Sequence, residues 1–224
     1  MHYATKDYSD SAVTGKLGAL YHLTDDTKLF AQISQGFRAP EFKELYYSYG
    51  SPSRGYRSDP NPDLEAETSI SYETGVRGNF TTGNYELAIF YNDYDDFIDA
   101  STSYADPNYR AGVTIYDNLE KATIKGAELG ANILLDELVN AYQGTTLRVA
   151  AAYTEGEDQD GKSLNSVAPW NAVIGLNYDS PSNNWGSSLK TVYTAKKSSN
   201  DINATDTGTE NQIENPSSTV LDLT

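Results

Sequence analysis

Apolar and polar residues alternate one by one along most of this chain, in blocks separated by short polar stretches. Such alternation puts successive side chains on opposite faces of an extended strand. Val13, Leu17, Ala19, Tyr21 and Leu23 share one face of a first predicted strand, with Thr14, Lys16 and His22 on the other. Past the turn Thr24-Asp25-Asp26-Thr27, Leu29, Ala31, Ile33 and Phe37 oppose Gln32, Ser34, Gly36 and Arg38. A third strand sets Ile70, Tyr72 and Val76 against Ser69, Ser71, Glu73 and Arg77. Thr81-Thr82-Gly83-Asn84 turns it into a fourth, with Tyr85, Leu87, Ile89 and Tyr91 against Glu86, Ala88, Phe90 and Asn92. The same period continues through Ala127–Ile133, Leu147–Tyr153, Trp170–Tyr178 and Leu189–Tyr193, and a last strand begins at Ser218. The pattern predicts an all-β chain, with antiparallel strands in sequential hairpins over residues 11–38, 67–100, 114–134, 146–154, 167–196 and 218–224 and almost no helix.

Alternation is shared by two architectures. A soluble sandwich hides its apolar face between sheets, whereas a transmembrane barrel turns it to lipid and its polar face to a wet lumen. The connections favour the barrel. They run short (24–27, 81–84, 181–184) and long (39–66, 101–113, 155–165, 197–217) in turn, with 135–145 of middling length. Short turns on one rim and long loops on the other are how outer-membrane barrels are built. Tyr21, Tyr85 and Tyr178 fall beside short turns, and Tyr91, Tyr153 and Tyr193 lie toward the long loops, the spacing of two interfacial girdles. On this reading Leu29, Ile33, Ile70, Tyr72, Leu87, Ile89, Leu129, Ile174 and Leu176 share one convex, lipid-facing surface.

Composition narrows the function. Tyrosine is unusually abundant, 18 residues against 6 Phe and 2 Trp, and its apolar ring with a polar tip suits a membrane interface. A formal net charge of −16 repels nucleic acid. The absence of cysteine excludes thiolate metal sites, disulfides and a thiol nucleophile. No apolar run of about 18 residues marks a membrane helix, a test to which barrel strands are invisible. The polar start Met1-His2-Tyr3-Ala4-Thr5-Lys6-Asp7 carries no export segment, so the barrel reading expects a longer parent protein.

Two words stand 20 residues apart on either side of the first long loop: Phe37-Arg38-Ala39-Pro40 and Asn61-Pro62-Asp63-Leu64. Pro40 ends strand pairing because it has no N–H, and Pro60 and Pro62 stiffen the chain into the next strand. With Glu44-Leu45-Tyr46, Tyr72-Glu73-Thr74-Gly75-Val76-Arg77, the stretch from Tyr91 to Ile98 and that from Asn118 to Leu129, their order resembles TonB-dependent outer-membrane receptors, in particular the haem, haemoglobin and transferrin branch. The resemblance implies an uptake receptor in the bacterial outer membrane and not an enzyme. It implies TonB as a partner acting through a plug domain, outer-membrane lipid around the barrel, and haem or an iron-carrying protein as cargo. Receptors of this family have barrels of about 22 strands around a plug. Residues 1–224 are therefore expected to be an internal segment of a barrel with about nine strands, truncated at both ends and without the plug.

Haem receptors of the family usually carry a histidine between the two words, and residues 41–60 have none. His22 belongs to the opposite rim. The loop offers Tyr46, Tyr47, Tyr49 and Tyr56, with Arg54 and Arg57, and Arg38 stands at its base. Tyrosine can ligate haem iron and arginine can hold propionates. The competing reading makes the same residues rim aromatics and solvated loop charge, with Arg38 paired to lumen carboxylates such as Glu73. Asp158-Gln159-Asp160-Gly161 begins like a calcium loop, but Pro169 stands where the closing Glu belongs. No phosphate loop, nucleophile elbow or metal-binding helix is present, and neither a metal nor a cofactor is expected. A siderophore or cobalamin receptor, a soluble secreted β-sandwich binding module and a passive porin remain the alternatives.

Overall fold

The computed structural model describes residues 9–139, 142–164, 166–197 and 216–224. Its strands are β1 (Lys16–His22), β2 (Thr27–Arg38), β3 (Tyr49–Ser51), β4 (Tyr56–Asp59), β5 (Glu67–Phe80), β6 (Gly83–Ser103), β7 (Gly112–Leu134), β8 (Thr145–Asp158), β9 (Trp170–Asp179), β10 (Gly186–Thr194) and β11 (Ser218–Leu223). Two short helices, α1 (Phe42–Tyr46) and α2 (Leu135–Leu138), accompany them. All strands join one sheet, in the order β1-β2-β5-β6-β7-β8-β9-β10-β11, with β3 and β4 attached at the side. Every pairing along the main path is antiparallel, and β1 and β11 are open edges.

Register carries one face across the sheet. Leu29, Val76, Leu87, Leu129 and Ala151 stand in one row, and Leu147, Leu176, Leu189 and Leu223 in another. The nine residues expected to share the lipid face do share it, each between 38% (Ile33) and 56% (Ile89) exposed. No second sheet covers them among the described residues, so this is not a sandwich. Aromatic side chains bound the apolar band. Tyr21, Phe80, Tyr85 and Tyr178 lie near the short turns; Tyr72 beside Tyr91, and Tyr153 beside Trp170 at 4.8 Å, lie toward the long connections. From Trp170 to Tyr178 a strand rises about 27 Å at ~3.4 Å per residue. Barrel tilt reduces that to about 20 Å, close to the height of an outer-membrane apolar band.

The opposite face is polar and tightly fitted. Gln32 donates to Glu73 at 2.5 Å. The rings of Phe30 and Phe90 lie on Gly75 and Gly126, where an added Cβ would come within 2.6 Å of the ring carbons. Only a glycine lets each ring lie flat against the wall.

Three expectations are corrected. The 39–66 connection is not a plain loop but contains α1 and the β3–β4 hairpin, and β4 pairs with the start of β7 in parallel, because these segments are too short to show a period of two. The connection expected at 101–113 shrinks to 104–111, since β6 runs to Ser103 and β7 starts at Gly112. The first strand starts at Lys16, leaving Val13 outside it at 98% exposed. Most of the 197–217 connection lies outside the described residues.

Candidate functional site

The two sequence words meet on the long-connection rim. β2 ends at Arg38, directly opposite Glu67 at the start of β5. Pro40 then breaks pairing and is buried. Glu41 opens α1, and Glu44, three residues on, folds back so that its Oε2 accepts the Glu41 N–H at 2.7 Å, half of a capping box. This places the Glu44 carboxylate, 6% exposed, under the guanidinium of Arg38 at 3.3 Å. On its other side Arg38 Nη2 donates to Glu67 Oε2 at 3.1 Å and to the Ile98 carbonyl at 3.3 Å. Glu67 Oε2 also accepts the Ile98 N–H at 3.1 Å. One cation thereby ties the end of β2, α1, the start of β5 and the upper part of β6. The alternative expected for Arg38, pairing with carboxylates of the wall, holds, but with Glu44 and Glu67 in place of the example Glu73, which register puts lower on the wall with Gln32.

The second word closes the loop. The Asn61 N–H donates to the Glu44 carbonyl at 2.7 Å, and its side-chain amide donates to the Tyr116 carbonyl at 3.0 Å. Its Oδ1 accepts the Asp63 N–H at 3.0 Å, an Asx turn that throws Leu64 inward. Leu64 packs with Leu45 and Ile98, and Tyr46 and Tyr116 lie against this cluster. Asn118 adds a clasp that sequence reasoning missed. Its Oδ1 accepts the Glu65 N–H at 2.8 Å, while Nδ2 donates to the carbonyls of Glu65 (3.1 Å) and Asp96 (2.6 Å). Its partner lies 53 residues away, and no local spacing announces it. Phe37 pairs opposite Thr68 within the sheet, and Ala39 and Asp63 are exposed.

Of the loop residues expected to meet cargo, Tyr46 is half-buried against the rim cluster. Tyr47 and Tyr49 are exposed and stacked, ring centroids 5.8 Å apart. Arg54 is exposed at the hairpin turn, and Tyr56 is half-buried at the start of β4. Arg57 grips Asp59 at 2.7 Å and lies over the Tyr109 ring at 4.7 Å. The hydrogen bond to Asp59, then that to Tyr109, hold its guanidinium pKa above the ordinary value. The structure thus gathers Arg38 into the rim network and presents Tyr47, Tyr49 and Arg54 outward. Among the described residues no cluster of His, Asp and Glu is placed to hold a metal ion.

A single antiparallel sheet, girdled and apolar on one face and polar on the other, with short turns on one rim and a folded loop on the other, is the wall of an outer-membrane β-barrel. The family model "TonB dependent receptor-like, beta-barrel" matches residues 2–224. The chain belongs to this family of outer-membrane receptors. It is 30% identical over 207 residues to Hemoglobin-haptoglobin utilization protein B of Neisseria meningitidis serogroup C, covering 83% of this chain and 25% of that protein. It is 28% identical over 217 residues to Hemoglobin-binding protein A of Haemophilus influenzae, covering 89% of this chain and 21% of that one. The chain therefore spans about a quarter of the length of the curated relatives it matches. Among solved structures it superposes on the copper transporter OprC with a TM-score of 0.67 at 21% identity, covering 94% of this chain and 30% of that one. The siderophore receptor PirA from Acinetobacter baumannii gives a TM-score of 0.64 at 18% identity, over 94% of this chain and 34% of that one. At these identities the two structures share the fold.

Proposed function

We propose that the chain is part of the barrel of an outer-membrane receptor that takes up haem, or iron held by a carrier protein, with transport driven through a plug domain by TonB. The observation that carries the cargo is the 30% identity to a haemoglobin–haptoglobin utilization protein over 83% of this chain. The open edges at β1 and β11 support its place as one segment of a larger closed wall. A siderophore or cobalamin cargo is the alternative within the same family.

Cargo meets the folded loop 41–60 in this reading. Tyr47, Tyr49, Tyr56, Arg54 and Arg57 supply the contacts, and Tyr46 and Arg38 act from below by holding the loop. The Arg38–Glu44–Glu67 network supports that division, since it fixes the loop before cargo arrives and lowers the ordering cost of binding. Replacing Tyr46, Tyr47, Tyr49 and Tyr56 together by Phe keeps the rings and removes any phenolate ligand. In a strain that relies on the full receptor, haem-dependent growth falls if a phenolate ligates iron and persists if the rings only pack. Growth lost on another iron source instead, with haem unaffected, contradicts the cargo.

A further inference from the structure

The connection from β8 to β9 folds back on its own wall. The Asp158 N–H donates to the Lys162 carbonyl at 2.8 Å, and Asp158 Oδ1 accepts the N–H groups of Asp160 (2.9 Å) and Lys162 (2.8 Å). This turn returns the chain so that the Leu164 N–H reaches the Gly156 carbonyl at 2.9 Å. Leu164 is 2% exposed. Gly156 has the strand parity of Arg148, which puts it on the lumen face of β8. A Cβ there would come within 2.7 Å of Val167 Cγ2 and 3.1 Å of Leu164 Cδ1. The two side chains of the connection therefore fill the place of the missing one. Gly156 lies three residues beyond the girdle residue Tyr153, so this packing sits outside the membrane band, toward the outer mouth. It is made between segments of this chain.

A buried lysine fastens the fold-back. Lys197 stands just past the end of β10 and is 6% exposed. Its Nζ donates to the Leu164 carbonyl and, at 2.8 Å, to the Val167 carbonyl. A buried ammonium persists only where its hydrogens are bonded and opposite charge is near. That charge comes from Asp99, on β6 beyond the outer girdle, which also accepts a hydrogen bond from the Ser166 hydroxyl. The other charged neighbours of Asp99 are carboxylates: Asp158 on β8 and, directly opposite in register, Asp117 on β7. Burial holds the Asp99 carboxyl above its ordinary pKa, against the Ala100 N–H, Lys197 and Ser166, which favour its charge. A carboxyl whose pKa is raised only in the folded-back arrangement favours that arrangement when protonated. The gain is fully present below the ordinary carboxylate pKa and is lost as pH rises through the raised value.

We propose that residues 159–164 and 166–169 form a lid at the outer mouth of the barrel, latched by Lys197 and released through the charge on Asp99. Latched, the lid lies on Gly156 over the lumen face. Released, Leu164 and Val167 lift from that glycine and the mouth widens along β8. The device concerns access to the lumen, whichever cargo is carried.

Hydrogen exchange at the Leu164 and Val167 amides, which donate to the Gly156 and Leu164 carbonyls, reads the lid directly. It is measured on the full receptor in lipid vesicles, at mildly acidic and at neutral pH, after correction for the intrinsic pH dependence of exchange. Three forms are compared: the unchanged protein, Lys197→Met, which keeps an apolar stem without the ammonium, and Asp99→Asn, which is uncharged at either pH. The unchanged protein should be better protected at acidic pH. Lys197→Met should lose about ten-fold or more of that protection at both pH values. Asp99→Asn should keep the acidic level of protection at neutral pH, and the barrel of all three should melt alike. Protection unaffected by Lys197→Met overturns the latch. Protection that ignores pH in the unchanged protein, or a pH dependence that survives in Asp99→Asn, overturns the release. A Lys197→Met barrel that melts lower in step with the lost protection assigns Lys197 to the stability of the whole wall and overturns the lid.

Discussion

Removing the Arg38 guanidinium leaves Glu44 and Glu67 buried with no countercharge, 6% and 8% exposed. A buried charge stripped of its partner costs more than the pair contributed. Because the Arg38 side chain is itself 37% exposed, Arg38→Ala is expected to cost about 2–3 kcal/mol, below the range of a fully buried pair. Unfolding of the receptor in detergent measures the loss. Adding Glu67→Gln should recover part of it, and a double variant no better than Arg38→Ala alone contradicts the pairing. Much of this site was legible: both words and Pro40 are visible in the sequence, as is the likeness of Glu44-Leu45-Tyr46 to the first word's continuation. The partners of Arg38 were not, because Glu67 reaches it only through the β2–β5 register and Glu44 only through the fold-back of α1. The three-residue spacing of Glu41 and Glu44 was the one available signal.

Strand alternation gave away the elements that cross the membrane, because a lipid face and a lumen face impose a strict period of two. It failed for β3 and β4, three and four residues long, whose place is set by a parallel pairing with β7. The two faces predict unequal tolerance to charge. Leu87 lies between the girdle residues Tyr85 and Tyr91 on the lipid side. Leu87→Arg is expected to destabilise the folded receptor in bilayers by about 2–4 kcal/mol. Asn171, on the lumen face of β9, should accept the same substitution at a cost near that of an ordinary surface change, about 0.5 kcal/mol. Equal costs at the two positions, measured by denaturant titration in lipid vesicles, would remove the assignment of faces.

At the scale of the molecule, an open wall has two unpaired edges and an uncovered apolar face. Edges and apolar faces of this kind recruit further strands, so the 224-residue chain expressed alone should aggregate without detergent; a monodisperse, cooperatively folded monomer in plain buffer would contradict the barrel wall. The most direct test uses the absence of native cysteine within this chain. Single cysteines are placed in turn at positions 85–91 of β6 in the full receptor, spin-labelled, and probed in bilayers with oxygen, which enters lipid, and a water-soluble nickel chelate, which does not. Positions 85, 87, 89 and 91 should favour oxygen and positions 86, 88 and 90 should not, a clean alternation matching the pairing of β6 with β5 and β7. Oxygen accessibility without that period, or its maximum at the even positions, would contradict a wall with lipid on one side and a lumen on the other.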